Sequence, residues 1–260
     1  MTVERFLLLV EGPHDLEFCA RLIKPEGFGR IDSLAKLESE FSFWRQLVPK
    51  KFPKDDNLLA RHPVPTFFSN PSGQSVAMIV SGGDSKLAGQ LDYSLGNLNQ
   101  QPDSIGIILD TDQDRTPQSR HDSLLASIRA HASSPTFAGH PGEIAPGPPK
   151  TGVYCIPDNL NPGTMEDLLL EGATIAYPQL MNAAKAFTSF ASELDELNKS
   201  DLSEYKNAGP KKSTASAMAS ILKPGKSIQV SIQDNRWLAD DALNLPRIAS
   251  LRCFLLKLLQ

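Results

Sequence analysis

The chain has 260 residues, of which 40% are hydrophobic and 22% charged, a composition typical of a folded globular protein. A formal net charge of −4 excludes a polycation that coats nucleic acid, so any nucleic-acid surface must be a local basic patch. Three cysteines without C-x-x-C spacing exclude a zinc knuckle and a disulfide framework, and no apolar run is long enough for a signal peptide or a membrane span. We therefore expect a reducing, cytoplasmic location and no membrane partner.

Strands and helices are predicted to alternate along the first 160 residues. Nearly continuous apolar runs predict strands at about 4–11, 76–80, 104–110 and 152–156, as expected for strands covered on both faces. Helical spacing predicts helices at about 14–24, 85–98 and 118–131 between them. With right-handed crossovers, this order predicts an α/β fold, a Rossmann-like and mostly parallel sheet flanked by helices.

Two other regions differ from this alternation. Within the core, assigned to residues 1–172, we expect an irregular insertion at about 25–75, because Pro49 to Gly73 contains five prolines and many polar residues. Leu34 to Val48 is the part of this insertion that has some helical character. Residues 173–260 show helical spacing and are predicted to form a mainly helical extension that packs on the core, with a short strand around Ile228–Ile232.

Acidic residues follow two of the predicted strands directly. Glu11 ends the first strand, and Asp110, Asp112 and Asp114 follow the third. If these strands are neighbours in a parallel sheet, the acids meet at its carboxyl edge, where open α/β sheets bind ligands. Such acids would repel one another unless a cation lay between them, and hard oxygen ligands suit Mg²⁺ or Mn²⁺.

Simpler interpretations of these acids remain open. Asp15 is typical of the first turn of a helix, and aspartates are common in solvated turns. An EF-hand is excluded, because its sixth and twelfth positions would be Arg115 and His121 instead of Gly and Glu. Gly12, directly after Glu11, favours a site, since glycine lets the backbone approach a ligand closely.

The order of these motifs resembles the TOPRIM domain of topoisomerases, bacterial primases, small ribosomal-RNA maturases and OLD-type nucleases. The matching segments are Leu8 to Asp15, Ile79 to Gly83 and Ile107 to Asp114. The chain looks most similar to compact stand-alone TOPRIM proteins related to the OLD nucleases. The resemblance implies that Glu11 is a general acid/base or a metal ligand, that Asp110 and Asp112 hold Mg²⁺ with Asp114 outside them, and that Gly82 and Gly83 lie beside the site.

Downstream residues extend this prediction. Glu166 and Asp167 follow the fourth strand, and the resemblance makes them ligands of a second metal, although Asp167 could equally belong to a capping box with Thr164. Lys211 and Lys212 open a predicted helix, where they are either solvated or bind a phosphate. The candidate residues are therefore Glu11, Asp15 and Lys211 for catalysis, Gly12, Gly82, Gly83 and Lys212 for contacts with a cofactor, and Glu11, Asp110, Asp112, Asp114, Glu166 and Asp167 for the metal.

These residues predict a Mg²⁺-dependent nuclease that cleaves DNA or RNA. The chain contains no recognisable ATPase segment, so it could be the effector subunit of a larger assembly with an ATPase or another protein, or a homo-oligomer. Two alternatives remain. One is a non-catalytic module that binds nucleic acid or a protein partner through the same fold. The other, weaker one is a haloacid-dehalogenase-like phosphatase, which would use Asp110 and Asp112 but leaves Glu11 unexplained.

Overall fold

The structure is a computed structural model that describes residues 5–49, 64–131, 135–189, 194, 197–203, 205 and 208–260. Its strands are β1 (Arg5–Val10), β2 (Gly29–Arg30), β3 (Thr66–Ser69), β4 (Ser75–Val80), β5 (Ser104–Asp110), β6 (Ile144–Ala145) and β7 (Lys150–Ile156). Its α-helices are α1 (Pro13–Ile23), α2 (Leu34–Glu40), α3 (Leu87–Asn97), α4 (Pro117–Arg129), α5 (Met165–Ala176), α6 (Pro178–Ser189), α7 (Gly209–Leu222), α8 (Ile228–Asp234) and α9 (Pro246–Leu259). None of these helices is long and apolar enough to cross a membrane.

One sheet contains all seven of these strands, in the order β2-β3-β4-β1-β5-β7-β6. The central strands β4, β1, β5 and β7 are parallel, whereas β2, β3 and β6 pair antiparallel at the two edges. The four central strands are the four that the apolar runs predict. The predicted fold class, a mostly parallel α/β sheet flanked by helices, is therefore confirmed, although the antiparallel edges were not foreseen.

Helices cover both faces of the sheet, which is why its central strands are apolar throughout. In β1, Leu8 and Val10 face a core shared with α1, α5 and α9, and Leu7 and Leu9 face a second core with α3 and α4. Each leucine is fully buried and contributes about 1.5–3 kcal/mol relative to an exposed position. These buried contacts fix the position of β1, and therefore also the position of residues at its carboxyl end.

The helical region after residue 172 packs directly on the sheet. On β5, a Cβ added to Gly106 would lie 3.0 Å from a methyl group of Leu258 in α9. On β7, the ring of Tyr154 lies 5.3 Å from that of Phe254, between centroids. The boundary proposed at residue 172 falls within α5, and α5 to α9 share one hydrophobic core with β1.

Two local predictions are wrong. Ile228–Ile232 forms the first turns of α8 and not a strand, because Ile232 packs into the helical core while Gln233 and Asp234, which follow it in α8, are exposed. The insertion at 25–75 is not irregular in its described part, since it contains β2, α2 and β3, and Trp44 is fully buried with its Nε1 donating to Ser75 Oγ at 2.9 Å. Residues 50–63 of the insertion lie outside the described part of the chain.

Candidate functional site

The ends of β1 and β5 bring the first acids together. The two strands are parallel neighbours, with Val10 opposite Ile108, and Glu11 and Asp110 lie at their carboxyl ends. The side chain of Glu11 accepts a hydrogen bond from the backbone N–H of Asp110 at 3.0 Å. Because α1 follows β1 on one face of the sheet and α4 follows β5 on the other, the two helices diverge at this point, which is where open α/β sheets form their ligand crevice.

Glycines from the end of β4 hold the backbone of Glu11. The carbonyl of Glu11 accepts hydrogen bonds from the N–H groups of Gly82 at 3.0 Å and Gly83 at 3.3 Å. Their φ angles of 76° and 130° lie in a region that residues with a side chain rarely adopt. Burial raises the pKa of the Glu11 carboxyl more than the nearby Arg120 and the amide of Asp110 lower it.

Asp15 caps the helix that follows Glu11. Its Oδ2 accepts a hydrogen bond from the N–H of Gly12 at 2.7 Å, and Pro13 occupies the first helical position, where no N–H is needed. Asp15 is buried, and desolvation raises its pKa to about 7 despite the Gly12 hydrogen bond, with the charges of Glu11 and Glu166 adding to the effect. Asp15 is therefore a structural cap of α1 whose carboxyl group is shifted towards its neutral form by burial.

Asp110, the last residue of β5, is linked to the start of α5. Its Oδ1 accepts a hydrogen bond from the N–H of Met165 at 2.8 Å, at the start of α5. Burial raises the pKa of Asp110 well above its ordinary value, and the charges of Asp15, Glu11 and Glu166 raise it further. Four acids, at the end of β1, in α1, in β5 and in α5, thus interact electrostatically, and they cannot all ionise without a neutralising charge.

The rest of the Asp-x-Asp-x-Asp motif is less enclosed. Asp112 has a φ of 65° and exchanges two backbone hydrogen bonds with Gly163, at 2.9 and 3.0 Å, which join the loop after β5 to the segment before α5. Its Oδ2 lies 3.7 Å from the guanidinium of Arg120. Asp114 is exposed in the loop, so the structure does not bring it into the acidic cluster.

The start of α5 adds Glu166 and Asp167. Glu166 Oε1 lies 3.9 Å from His14 Nδ1, whereas Oε2 is buried and has no hydrogen-bond partner among the described residues. Burial raises the pKa of Glu166, but His14 and Lys212 outweigh it, so this pKa lies below its ordinary value. Glu166 therefore favours its charged form, in contrast to Glu11, Asp15 and Asp110, whose pKa values are raised.

Asp167 has a mainly structural set of contacts. Its Oδ2 accepts a hydrogen bond from the N–H of Thr164 at 2.9 Å, which caps α5 as the capping-box interpretation expects. Its Oδ1 lies 2.6 Å from Nζ of Lys211. The start of α7 therefore lies against the start of α5, with Lys211 on Asp167 and Lys212 near Glu166.

Arg120 and Asp84 are components of the cluster that the motif analysis missed. Arg120 is 5% exposed, and its Nε donates to the carbonyl of Asp110 at 2.9 Å. Nη1 donates to Asp84 at 2.5 Å, and Nη2 donates to Glu11 at 3.1 Å. One guanidinium therefore connects the ends of β4, β1 and β5. An arginine in the first turn of α4 opposes the helix dipole unless acids surround it, which is the sequence signal that could have identified it.

Comparison with known proteins identifies the family. Residues 5–258 match the model of a family described as "Protein of unknown function (DUF3226)". The chain belongs to this family. The chain is also similar to a hypothetical protein from Pyrococcus horikoshii OT3, whose crystal structure has 17% sequence identity and a TM-score of 0.48, with 98% of this chain and 100% of that chain covered. No curated protein matches the chain.

The acids of this DUF3226 chain suit a divalent cation chemically, but they are not arranged as a finished cage. Within the described residues, no three His, Cys, Asp or Glu side chains form a group that could hold a metal ion. Glu11 is paired with Arg120, Asp110 with the N–H of Met165, and Asp15 with the N–H of Gly12. The donor set nevertheless fits Mg²⁺ or Mn²⁺, because it consists of carboxylate oxygens. The unpartnered oxygen of Glu166 is the atom that a cation would satisfy.

Proposed function

We propose that this protein is a Mg²⁺- or Mn²⁺-dependent nuclease that hydrolyses phosphodiester bonds of DNA or RNA at the carboxyl ends of β1 and β5. The observation that carries the proposal is the set of four interacting carboxyl groups, from Glu11, Asp15, Asp110 and Glu166. Buried acids whose charges conflict are costly to a fold, so they point to a bound cation and to chemistry. The order of the TOPRIM-like motifs supports the same activity.

Each of these acids has a place in the proposed reaction. Glu11, Asp110, Asp112 and Glu166 would hold the metal, which would supply an activated water and stabilise the leaving oxygen. Asp15, whose pKa of about 7 allows it to exchange a proton at neutral pH, would serve as the acid/base together with Glu11. Asp114 is exposed, so its contribution would be limited to an outer position.

Basic groups beside the acids would offset the repulsion between these acids and an anionic substrate. Lys211 and Lys212 begin α7, at the side of the cluster formed by Asp167 and Glu166. Their charges, at the positive end of the helix dipole, would bind a phosphate of the substrate. Asp167 holds Lys211 in place, so in this account it is a positioning residue as much as a metal ligand.

A nuclease assay with matched variants tests the proposal. We expect the full chain with Mg²⁺ or Mn²⁺ to cleave DNA or RNA, and Glu11→Gln and Asp110→Asn each to reduce the rate at least about 100-fold. Asp241→Asn is the control, because Asp241 is exposed and lies far along the chain in a 3₁₀ turn. Circular dichroism of each variant checks that the fold is intact.

Two other outcomes would replace the proposal. Nucleic-acid binding without cleavage, alone or with a protein partner, would indicate a non-catalytic module. The pairing of Glu11 with Arg120 gives Glu11 a part in the site, so it favours this alternative over the phosphatase, which leaves Glu11 unexplained. Hydrolysis of a phosphomonoester that Asp110→Asn abolishes and Glu11→Gln does not would indicate a phosphatase. We also propose that the protein works in the cytoplasm on nucleic acid, either as a homo-oligomer or beside an ATPase.

A further inference from the structure

A polar pocket adjoins the acidic cluster and shares Asp84 and Arg120 with it. It has a volume of about 190 Å³ and lies between the start of α3 and the first turns of α4, over the end of β5. Its floor is apolar and consists of Ala88, Leu109 and Leu124. This volume is below the about 300–1,000 Å³ of pockets for drug-sized ligands, so the pocket suits a small ligand or one part of a larger ligand.

Positive charge exceeds negative charge in the lining of this pocket. Arg115 and Arg120 line it together with one acid, Asp84. Asp84 is already bound by Arg120, whose hydrogen bond lowers the pKa of Asp84 and keeps it ionised, and Arg115 adds to this effect. No ion pair among the described residues includes Arg115, so its charge remains available to an anion.

Serine hydroxyls line the side formed by α4. Ser123 and Ser127 lie one helical turn apart, and each donates to the carbonyl four residues earlier, at 2.8 and 3.0 Å. Their oxygens can therefore accept hydrogen bonds from the hydroxyl groups of a ligand. Ser85 adds a third hydroxyl on the α3 side. The wall thus offers cationic donors at one place and hydroxyl oxygens at another, above an apolar floor.

We propose that this pocket binds the phosphate and sugar of one nucleotide, with Arg115 on the phosphate and Ser123 and Ser127 facing the sugar hydroxyls. The orientation follows from the positions of charge and hydroxyl oxygens in the wall. The nucleotide is either a free mononucleotide or the phosphorylated end of a nucleic acid, since both present the same group. This inference concerns binding alone, and it does not depend on a metal or on cleavage.

Calorimetric titration of the full chain in the presence of EDTA tests the pocket without the metal-dependent chemistry. We expect adenosine 5′-monophosphate to bind at least about tenfold more tightly than adenosine, since a charge-assisted hydrogen bond is worth about that factor. Arg115→Ala is expected to remove this difference. The matched control is Arg129→Ala, which removes an exposed arginine at the other end of the same helix and should change the affinity less than about twofold.

A second variant separates the pocket from a general effect of charge. Ser123→Leu leaves every charge in place and fills the space beside Ser127, so it is expected to weaken binding at least about tenfold. Because residue 123 is exposed, we expect the variant to fold, and its thermal unfolding checks this. Wild-type affinity in Ser123→Leu, or equal binding of adenosine and its monophosphate, would overturn the proposal.

Oligonucleotides identify the source of the nucleotide. Preference for a 5′- or 3′-phosphorylated oligonucleotide over the same strand with hydroxyl ends, lost in Arg115→Ala, would support the end of a nucleic acid. Binding of the monophosphate with no such preference would support a free nucleotide. Both binding results would be the same if the acidic cluster had no nuclease activity, because they are measured in EDTA. A failure of the proposed nuclease function is therefore distinguishable from a failure of the proposed nucleotide pocket.

Discussion

Replacement of Asp15 by asparagine is expected to stabilise the protein at pH 8 and to leave its stability almost unchanged at pH 4. Asparagine keeps an oxygen that can accept the hydrogen bond from Gly12 N–H, so the helix cap is preserved. What the substitution removes is a buried carboxylate that lies beside Glu11 and Glu166. The substitution therefore removes the cost of ionising this buried carboxyl group, which comes mainly from desolvation and in smaller part from the charges of Glu11 and Glu166.

The sign and size of the effect follow from the pKa of Asp15. Burial raises this pKa from 3.8 in an unfolded chain to about 7 in the folded protein. As the pH rises from about 4 to 7, the unfolded chain ionises freely and the folded protein does not, so the free energy of unfolding decreases. The difference of about 3 pH units corresponds to a ceiling of about 4 kcal/mol, at about 1.36 kcal/mol per unit. We expect Asp15→Asn to recover about 2–4 kcal/mol of this at pH 8.

Urea unfolding followed by circular dichroism, in EDTA at pH 4, 6 and 8, measures this difference. The control is Asp241→Asn, an exposed acid whose replacement should change the free energy of unfolding by less than about 0.5 kcal/mol at each pH. An Asp15→Asn protein that is equally or less stable than wild type at pH 8 would refute the reasoning. It would mean that ionisation of Asp15 does not lower the free energy of unfolding.

Two further changes test the framework around the site. Arg120→Met is expected to lower the free energy of unfolding by about 3 kcal/mol in urea titrations, because Glu11 loses its buried cation, and unchanged stability would contradict this role. Gly152→Ala is expected to cost about 1–3 kcal/mol, since its Cβ would lie 2.8 Å from the ring of Phe254, whereas Gly89→Ala, which meets nothing within 4 Å, should gain up to about 1 kcal/mol. Equal effects of the two glycine substitutions would show that the sheet and α9 are not packed as described.

The central sheet was predictable because its strands are long, apolar and bounded by clear turns. β1 and β5 could be recognised from their runs of Phe, Leu, Ile and Val, and the acids after them marked the carboxyl edge. β2 and β6 have two residues each, and such short strands carry no periodic signal. Their positions depend on pairing with strands far along the chain, which the sequence alone does not specify.

Most acids of the candidate site could be predicted, whereas Arg120 and the acid Asp84 could not. Glu11 and Asp110 follow predicted strands, so their meeting follows from strand order. Arg120 and Asp84 come from a helix and a turn, and their position beside Glu11 depends on how α3 and α4 pack on the sheet. Charge repulsion between acids can be read from a motif, whereas the cation that balances it can come from any element that reaches the same point.

The arrangement of Arg120 also explains why the acids do not form a metal cage in the described structure. An arginine that pairs with Glu11 and Asp84 neutralises part of the charge that a divalent ion would otherwise neutralise. The acids that it leaves least satisfied are Asp110, whose pKa is raised, and Glu166, which has an unpartnered oxygen. These two are therefore the positions where a bound cation should be sought first.

A crystal soaked in millimolar Mn²⁺ and measured for anomalous scattering tests the account most directly. We expect an anomalous peak within coordination distance, about 2.0–2.5 Å, of carboxylate oxygens from Asp110 and Glu166, with Glu11 or Asp112 as a further ligand. The same soak of Asp110→Asn crystals should lose the peak. Wild-type crystals with Mn²⁺ bound elsewhere or not at all, and with Glu11 still held by Arg120, would contradict the account.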